Sequence, residues 1–367
     1  MLPVREHHYP CEQCGADLRY APGQTRMVCA HCGHAQEVPE AEDKLSRTGL
    51  VELDLQDGLS ADLPREAVAE HRTTHCPNCG AVVEFTGDHH AAECPFCATP
   101  VVVDTGTSRS IKPQGLIPFA VTEEAARDAL GRWLKARWFA PSGLGDYARK
   151  GRRIQGIYTP FWTFDADTRS RYSGQRGDYY YETRTRTVTV NGKSQQRTEQ
   201  VRHTRWRAAS GAVARKFDDL LVLAAKSLPR SHTDALQPWD LGALVPYRED
   251  YLSGFLAEGY TVTLPEGHGV AREIMAGVIA GDVRSDIGGD EQRISSVNTT
   301  HYNETFKHIL LPVWTAAYKY RGRSFRFVVN GQTGKVQGER PYSPWKIAFA
   351  VLLVLLVAGA IALISQS

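Results

Sequence analysis

The eight cysteines of this 367-residue chain form four Cys-x-x-Cys pairs: Cys11/Cys14, Cys29/Cys32, Cys76/Cys79 and Cys94/Cys97. They fall into two sets of identical spacing, C-x2-C-x14-C-x2-C, and a shift of 65 residues carries the first set onto the second. Two residues between thiolates let a tight turn aim both sulfurs at one ion. The fourteen-residue insert is long enough for a short hairpin that brings the chain back to complete a tetrahedron. Zn2+ suits four sulfurs because it needs no redox chemistry and accepts tetrahedral geometry. Gly15, Gly33 and Gly80 follow three of the pairs, and Ala98 holds the fourth such position. Two tandem four-cysteine zinc ribbons with two structural Zn2+ ions are the expectation, Cys11, Cys14, Cys29 and Cys32 holding one and Cys76, Cys79, Cys94 and Cys97 the other. A thioredoxin-like redox pair would need a surrounding βαβ unit and not four copies. Each ribbon is too small to bury a useful core, so metal binding must supply much of its folding energy.

The C-terminus carries a second strong signal. From Ile347 to Ile364 there are 18 uncharged, mostly apolar residues. Twenty residues at about 1.5 Å each span roughly 30 Å, the thickness of a bilayer's hydrocarbon. Arg340, Tyr342, Trp345 and Lys346 precede the run, basic and aromatic residues of the kind found at a cytoplasmic membrane face. The sequence therefore predicts a transmembrane helix over 345–364. The implied topology is a tail anchor in lipid at the cytoplasmic (inner) membrane, with the N-terminal domains in the cytoplasm. A reducing cytoplasm also favours metal ligation over disulfides.

Between these signals the expected organisation is ribbon 1 over 1–38, an acidic linker over 39–71, ribbon 2 over 72–104 and a duplicated antiparallel α+β domain over 105–344. Residues 39–70 carry nine acidic and three basic side chains, which reads as a solvated connector. A helical turn is expected near Ala67–Arg72 and a strand at Val101–Val103. Thr122 followed by Glu123 and Glu124 marks a helix start. Ala126, Leu130, Trp133, Leu134 and Trp138 continue it at helical spacing. Further helices are expected at Asp218–Ser227, Tyr247–Glu258 and Gly267–Asp282, the last with Val270, Ile274, Val278 and Ile279 on its apolar side. Two echoes suggest related β-rich halves: Pro160-Phe161-Trp162 against Pro312-Val313-Trp314, and Val190-Asn191-Gly192 against Val329-Asn330-Gly331.

Charge narrows the function without naming it. The formal net charge of +2 excludes a strongly polyanion-seeking protein, and eight thiolates with two zinc ions bring it to about −2. Locally, residues 169–207 hold ten Arg or Lys against three acidic residues, with Tyr172, Tyr179–Tyr181 and Trp206 interspersed. That segment fits a solvated or protein-binding face, anionic lipid headgroups, or phosphates and stacked bases. The chain has no P-loop, H-E-x-x-H, G-x-S-x-G or G-x-G-x-x-G motif. Asp165 with Asp167, and Glu266 with His268, are weak acid/base candidates, far more often surface features than a catalytic pair. No catalytic or cofactor-binding residue is assigned apart from the metal ligands.

The paired ribbons, the two P-x-W strands and the segment HILLPVWTAAYKYRGRSFRFVVNGQTGKVQGERPYSPWK carry a family resemblance. The chain resembles bacterial membrane-associated proteins described as TFIIB-type zinc-ribbon-containing, some labelled as primosomal replication helicases. The missing nucleotide-binding loop argues against helicase activity. The resemblance implies both cysteine sets as zinc ligands and membrane-system partners of the stomatin/flotillin-like or phage-shock-like type. Taken together, the sequence predicts a non-enzymatic tail-anchored adaptor or scaffold that recruits a protein partner. A membrane-tethered nucleic-acid-binding protein is the alternative, and an enzyme with an unrecognised site in the α+β domain a weaker one.

Overall fold

Polar turns separate short strands at the N-terminus, where no segment is long enough to bury a face by itself. The computed structural model describes residues 9–38, 52–60, 68–76, 80–84, 91–93, 100–102, 106–136, 154–190, 193–320, 323–339 and 343–366. Strands β1 (Leu18–Tyr20), β2 (Arg26–Cys29) and β3 (Ala35–Glu37) form a small antiparallel sheet. Leu18, Tyr20 and Met27 are buried in one core with Leu116, Phe119, Leu310 and Trp314, so this ribbon shares the core of the main sheet. Tyr20 meets Tyr251 edge-on at 5.2 Å, and its backbone N–H donates to Ser253 O at 3.1 Å.

Strand β4 (Leu53–Asp54) and the short helix α1 (Leu55–Leu59) follow, with Asp54 capping the helix by accepting from the Gln56 and Asp57 amides. Leu55 is fully buried, and Leu53–Asp54 pair with Phe306 and Thr305. This part of the acidic stretch is therefore docked rather than solvated, while 39–51 and 61–67 lie outside the described residues. Strands β5 (Val68–His75), β6 (Val82–Glu84), β7 (Ala91–Glu93), β8 (Pro100–Val102) and β9 (Gly106–Ile111) carry the second cysteine repeat. β5 has ladder partners on both sides, β6 and β9, which is why Val68–Arg72 form strand and not the helical turn expected near Ala67–Arg72, Ala67 itself lying outside the described residues.

The main body starts with β10 (Gly115–Leu116) and α2 (Glu123–Lys135), capped by Thr122, whose hydroxyl accepts from the Ala125 amide. Trp138 lies outside the described residues. Then come two very long strands, β11 (Gln155–Val190) and β12 (Lys193–Leu223), the short helix α3 (Arg230–Asp234), β13 (Val245–Pro246) and β14 (Leu256–Glu258). Helix α4 (Leu264–Ile287) leads to β15 (Glu291–Tyr320), β16 (Arg323–Asn330), β17 (Val336–Gly338) and the C-terminal helix α5 (Pro344–Gln366). β11 is sandwiched between β12 and β15, both antiparallel, at the centre of a 12-stranded sheet.

Several expectations are corrected. The body is mostly β-sheet and not a balanced α+β domain. Leu220–Leu223 continue the β12 ladder opposite Phe161–Phe164, so no helix forms across Asp218–Ser227. Tyr247–Glu258 folds as a 3-10 turn at Glu249–Leu252 followed by β14. α4 is longer than expected and buries Gly267, Ala271, Met275, Ile279, Val283 and Ile287, while Val278 is exposed. At Gly267 that face is small because the Trp162 indole occupies the space. A Cβ on Gly267 would sit 2.6 Å from its Cδ1.

The expected transmembrane helix is corrected as well. Among the described residues no helix is long and apolar enough to cross a membrane. The single-pass anchor, its lipid contact, the tail-anchored topology and the inner-membrane location therefore find no support. α5 is a C-terminal helix whose apolar side chains, Leu352 and Leu355 among them, are exposed.

The two P-x-W segments lie beside each other on β11 and β15, with Tyr158 opposite Pro312 and Pro160 opposite Leu310. Their surroundings match bond for bond. The Trp162 indole N–H donates to Val262 O at 2.9 Å, just before the Thr263 cap of α4, and that of Trp314 donates to Val121 O at 2.8 Å, just before the Thr122 cap of α2. Pro160 O accepts from the Ala224 amide and Pro312 O from the Gly331 amide. Ala224 O in turn accepts from Thr261 and Val262, and Gly331 O from Ala120 and Val121. An approximate two-fold axis through the Thr159–Leu311 pair relates the two sets. Replacing Trp162 or Trp314 by Phe removes equivalent bonds, so each variant is expected to lose about 1–3 kcal/mol. The two losses should be similar in urea unfolding; a large loss at one site with none at the other would break the equivalence.

Candidate metal centre

The knuckle at Cys11 begins with a tight turn. The Gly15 amide donates to Cys11 O at 2.8 Å and the Cys11 amide to Ala16 O at 2.7 Å. Gly15 has φ +73°, a conformation that side chains with a Cβ rarely adopt. The knuckle at Cys29 repeats it: Gly33 N–H to Cys29 O at 3.0 Å, Cys29 N–H to His34 O at 2.8 Å, and φ +75° at Gly33. β1 and β2 are antiparallel with Leu18 opposite Cys29, which brings the two turns face to face.

The four sulfurs of Cys11, Cys14, Cys29 and Cys32 all lie within 4.8 Å of one another and could hold a metal ion. Cys11–Cys32 and Cys14–Cys29 are each 3.5 Å apart. A disulfide needs about 2.05 Å, and these cysteines are free. A tetrahedron with Zn–S bonds of about 2.3 Å has sulfurs about 3.8 Å apart, so the donor set and spacing fit Zn2+. Cys11 and Cys29 are buried while Cys14 and Cys32 face outward, which leaves a path for the ion.

Electrostatics in the cluster also favours a cation. Backbone N–H groups of Cys32 and His31 point at the Cys29 sulfur and hold its thiol down to about 6. The Ala16 amide pulls Cys14 the same way, but the crowding sulfurs of Cys32, Cys29 and Cys11, together with burial, push it up to about 12. Four thiols at this spacing cannot all ionise alone, because like charges repel. A divalent ion removes that conflict.

In the second repeat, Cys76 is buried and its knuckle has the same backbone bonds: Gly80 N–H to Cys76 O at 2.9 Å, Cys76 N–H to Ala81 O at 2.8 Å, and φ +72° at Gly80. Cys79, Cys94 and Cys97 lie outside the described residues. The common glycine in C-x-x-C-G was the sequence signal for this turn.

The weaker acid/base candidates take structural positions. Asp165 belongs to a buried ion cluster in which Lys307 Nζ lies 2.7 Å from Asp219, 3.0 Å from Glu52 and 3.7 Å from Asp165. Asp167 accepts from Asn303 at 2.9 Å. Glu266 closes the capping box of α4 with Thr263. His268 meets Glu304 at 3.1 Å and accepts from Arg272, which also reaches His301 and Glu304. Sequence reading missed both clusters, since Glu52 and Lys307 are 255 residues apart and nothing in either neighbourhood marks them as partners.

Burial alone would lower the Lys307 pKa, but hydrogen bonds to Asp219 and Glu52 outweigh it and raise the value above the usual lysine range. A raised lysine stabilises the fold at every pH below its unfolded value, and that contribution goes only as pH rises through the folded one. Burial raises Asp165. Lys307→Met leaves these carboxylates without a counter-charge and is expected to cost about 3–5 kcal/mol near neutral pH. The loss should shrink as pH falls and Asp165 takes a proton, which urea unfolding compared at neutral and at acid pH would show. For the metal centre, the purified chain is expected to contain a sulfur-bound metal ion. Chelation should lower its melting temperature, because the ribbon shares the main core. Acid should release the ion as protons compete for the thiolates. Absence of metal in elemental analysis, or a melting temperature indifferent to chelator, would contradict the fit.

Comparison with known proteins bears on the whole chain. It is 26% identical over 357 residues to an uncharacterized protein, YdjG, of Bacillus subtilis strain 168, covering 93% of this chain and 92% of that protein. No family model and no solved structure matches the chain. The similarity to the bacillus protein thus runs through the sheet domain and is not confined to the cysteine motifs.

Proposed function

We propose that this chain is a non-enzymatic adaptor or scaffold, in which zinc-closed ribbons and the long-stranded sheet hold a protein partner. The observation that carries this reading is the four-sulfur knuckle of Cys11, Cys14, Cys29 and Cys32, packed against the core of the sheet. An ion with four protein sulfurs has no position left for water or substrate. Such a centre fixes shape and presents a surface. A second Zn2+ on Cys76, Cys79, Cys94 and Cys97 is part of the proposal, supported by the identical spacing and by the matching turn at Cys76–Ala81.

The test is a crosslinked pull-down of the full chain, quantified against Cys11→Ser/Cys14→Ser. The Ser variant is expected to lose a partner that wild type retains. Cys14→His, which keeps a zinc-ligating atom, should restore most of that partner's recovery. If the Ser variant keeps the same partner set, ribbon-dependent recruitment is wrong.

A further inference from the structure

The three-stranded blade formed by β11, β12 and the first part of β15 has two unlike faces. α4 covers one: Tyr172 OH donates to Asp286 at 2.6 Å, and Arg215 pairs with Asp282. Strand alternation puts Arg169, Arg171, Ser173 and Gln175 on the other, and all four are exposed. Beside them on β12 run Ala214, Ala212, Ser210 and Ala208, their direct ladder partners, also exposed. The uncovered face is therefore a smooth track of small side chains bordered at one end by the arginine pair Arg169 and Arg171.

Its charge is one-sided. Arg169, Arg171, Arg202, Lys216 and Arg293 lie on this face with Asp167 and Glu291, and at its base Asp165, on the same side of β11, is closed off with Glu52 and Asp219 around Lys307. Asp167 and Glu291 are engaged as well, Asp167 by Asn303 and Glu291 by the Tyr179 hydroxyl. Arg293 lies 3.8 Å over Trp206 and Arg202 lies 4.2 Å over Tyr179, while Tyr302 and Tyr181, both exposed, stand beyond the two ends of the track. The track itself, from Ala214 opposite Arg169 to Ala208 opposite Gln175, carries no ring, so a base lying on it has nothing to stack on, which disfavours single-stranded nucleic acid there. A guanidinium stacked on a ring still presents its N–H fork to a carboxylate, and stacking fixes its orientation.

From these observations we infer that this face binds an extended acidic segment of a protein partner, with carboxylates at alternate residues. Arg169 and Arg171 are two residues apart on one strand, about 6.6 Å. Alternate side chains of an extended peptide have the same spacing, so a Glu-x-Glu segment lying on the Ala208–Ala214 track meets both arginines. The inference rests on the adaptor reading and supplies the partner's chemistry.

The test uses the full chain and a fluorescein-labelled peptide of alternating Thr and Glu. Two probes accompany it: a peptide of the same composition with its Glu in one block, and an oligothymidylate of matched charge. The alternating peptide is expected to bind, with affinity falling as salt rises. The block peptide should bind at least about threefold more weakly, and Arg169→Gln/Arg171→Gln should weaken the alternating peptide by about tenfold. Arg184→Gln/Arg186→Gln, on the distal hairpin and its opposite face, should change binding by less than about twofold. An unchanged unfolding midpoint shows that the variants fold. No binding at low salt, equal binding of both peptides, or equal loss in both variants would overturn the proposal. Tighter, Arg169/Arg171-dependent binding of the oligothymidylate would assign the face to nucleic acid instead. These results are read without the ribbon cysteines, so failure here is separable from failure of the pull-down.

Discussion

Two buried indoles hold this architecture together. A tryptophan in the middle of a sheet brings a large apolar area and one N–H that must find an acceptor. Trp162 and Trp314 both find it in the last carbonyl before a helix cap, at Val262 and Val121. One bond thus sets the place where a helix leaves the sheet, because the next residue, Thr263 or Thr122, begins the helix by capping it. The packing agrees with the bond. Gly267 in α4 leaves room for the Trp162 ring, and Phe119, just ahead of α2, meets the Trp314 ring edge-on at 4.9 Å. Moving either indole would move a helix start, a strand crossing and the loop between them.

The ribbon depends on the same core from the other side. Its three strands are too short to exclude water by themselves, and Leu18, Tyr20 and Met27 are buried only because Phe119, Leu310 and Trp314 meet them. The sulfur cluster and the core act on different parts of the ribbon. The sulfur cluster fixes the turns, while the sheet holds the strands. Neither alone specifies the ribbon's position, which follows from Tyr20 N–H reaching Ser253 O and Gly23 N–H reaching Phe119 O.

Local chemistry explains what the sequence made legible. The C-x-x-C-G turns depend on two thiols and the glycine that follows them, all close together in the chain, and α2 begins at the cap that Thr122 and two glutamates announce. The Pro-x-Trp echo was visible as well, though nothing in it gave the register that pairs Tyr158 with Pro312. Non-local requirements were invisible. Glu52 looks like one more linker acid until Lys307, on a strand far along the chain, needs a counter-charge. Leu220-Leu221-Val222-Leu223 suits a helix or a strand equally, and the ladder with Phe161–Phe164 decides it. At the C-terminus composition spoke clearly for a helix and helix forms, but a membrane span does not follow from it.

The two-fold pattern also shows where the halves part company. After Trp314 the chain runs six residues to Tyr320 and turns into β16, whereas after Trp162 it continues 28 residues to Val190 before β12 returns. Beyond Gly177 the β11–β12 hairpin continues without β15 for 13 residues per strand, from Asp178 opposite Arg205 to Val190 opposite Lys193. At about 3.3 Å per residue this is roughly 40 Å of two-stranded ribbon. Isolated two-stranded ribbons are marginal in water, and this one buries little: Arg184, Thr185 and Arg186 are all exposed. Its stability has to come from short-range contacts across the strands, such as Arg202 on Tyr179 and Arg205 on Tyr180. A core that needs only short hairpins does not require such an extension. The symmetric part accounts for the fold, and the asymmetric part, with its uncovered arginine pair, is where binding has to be sought.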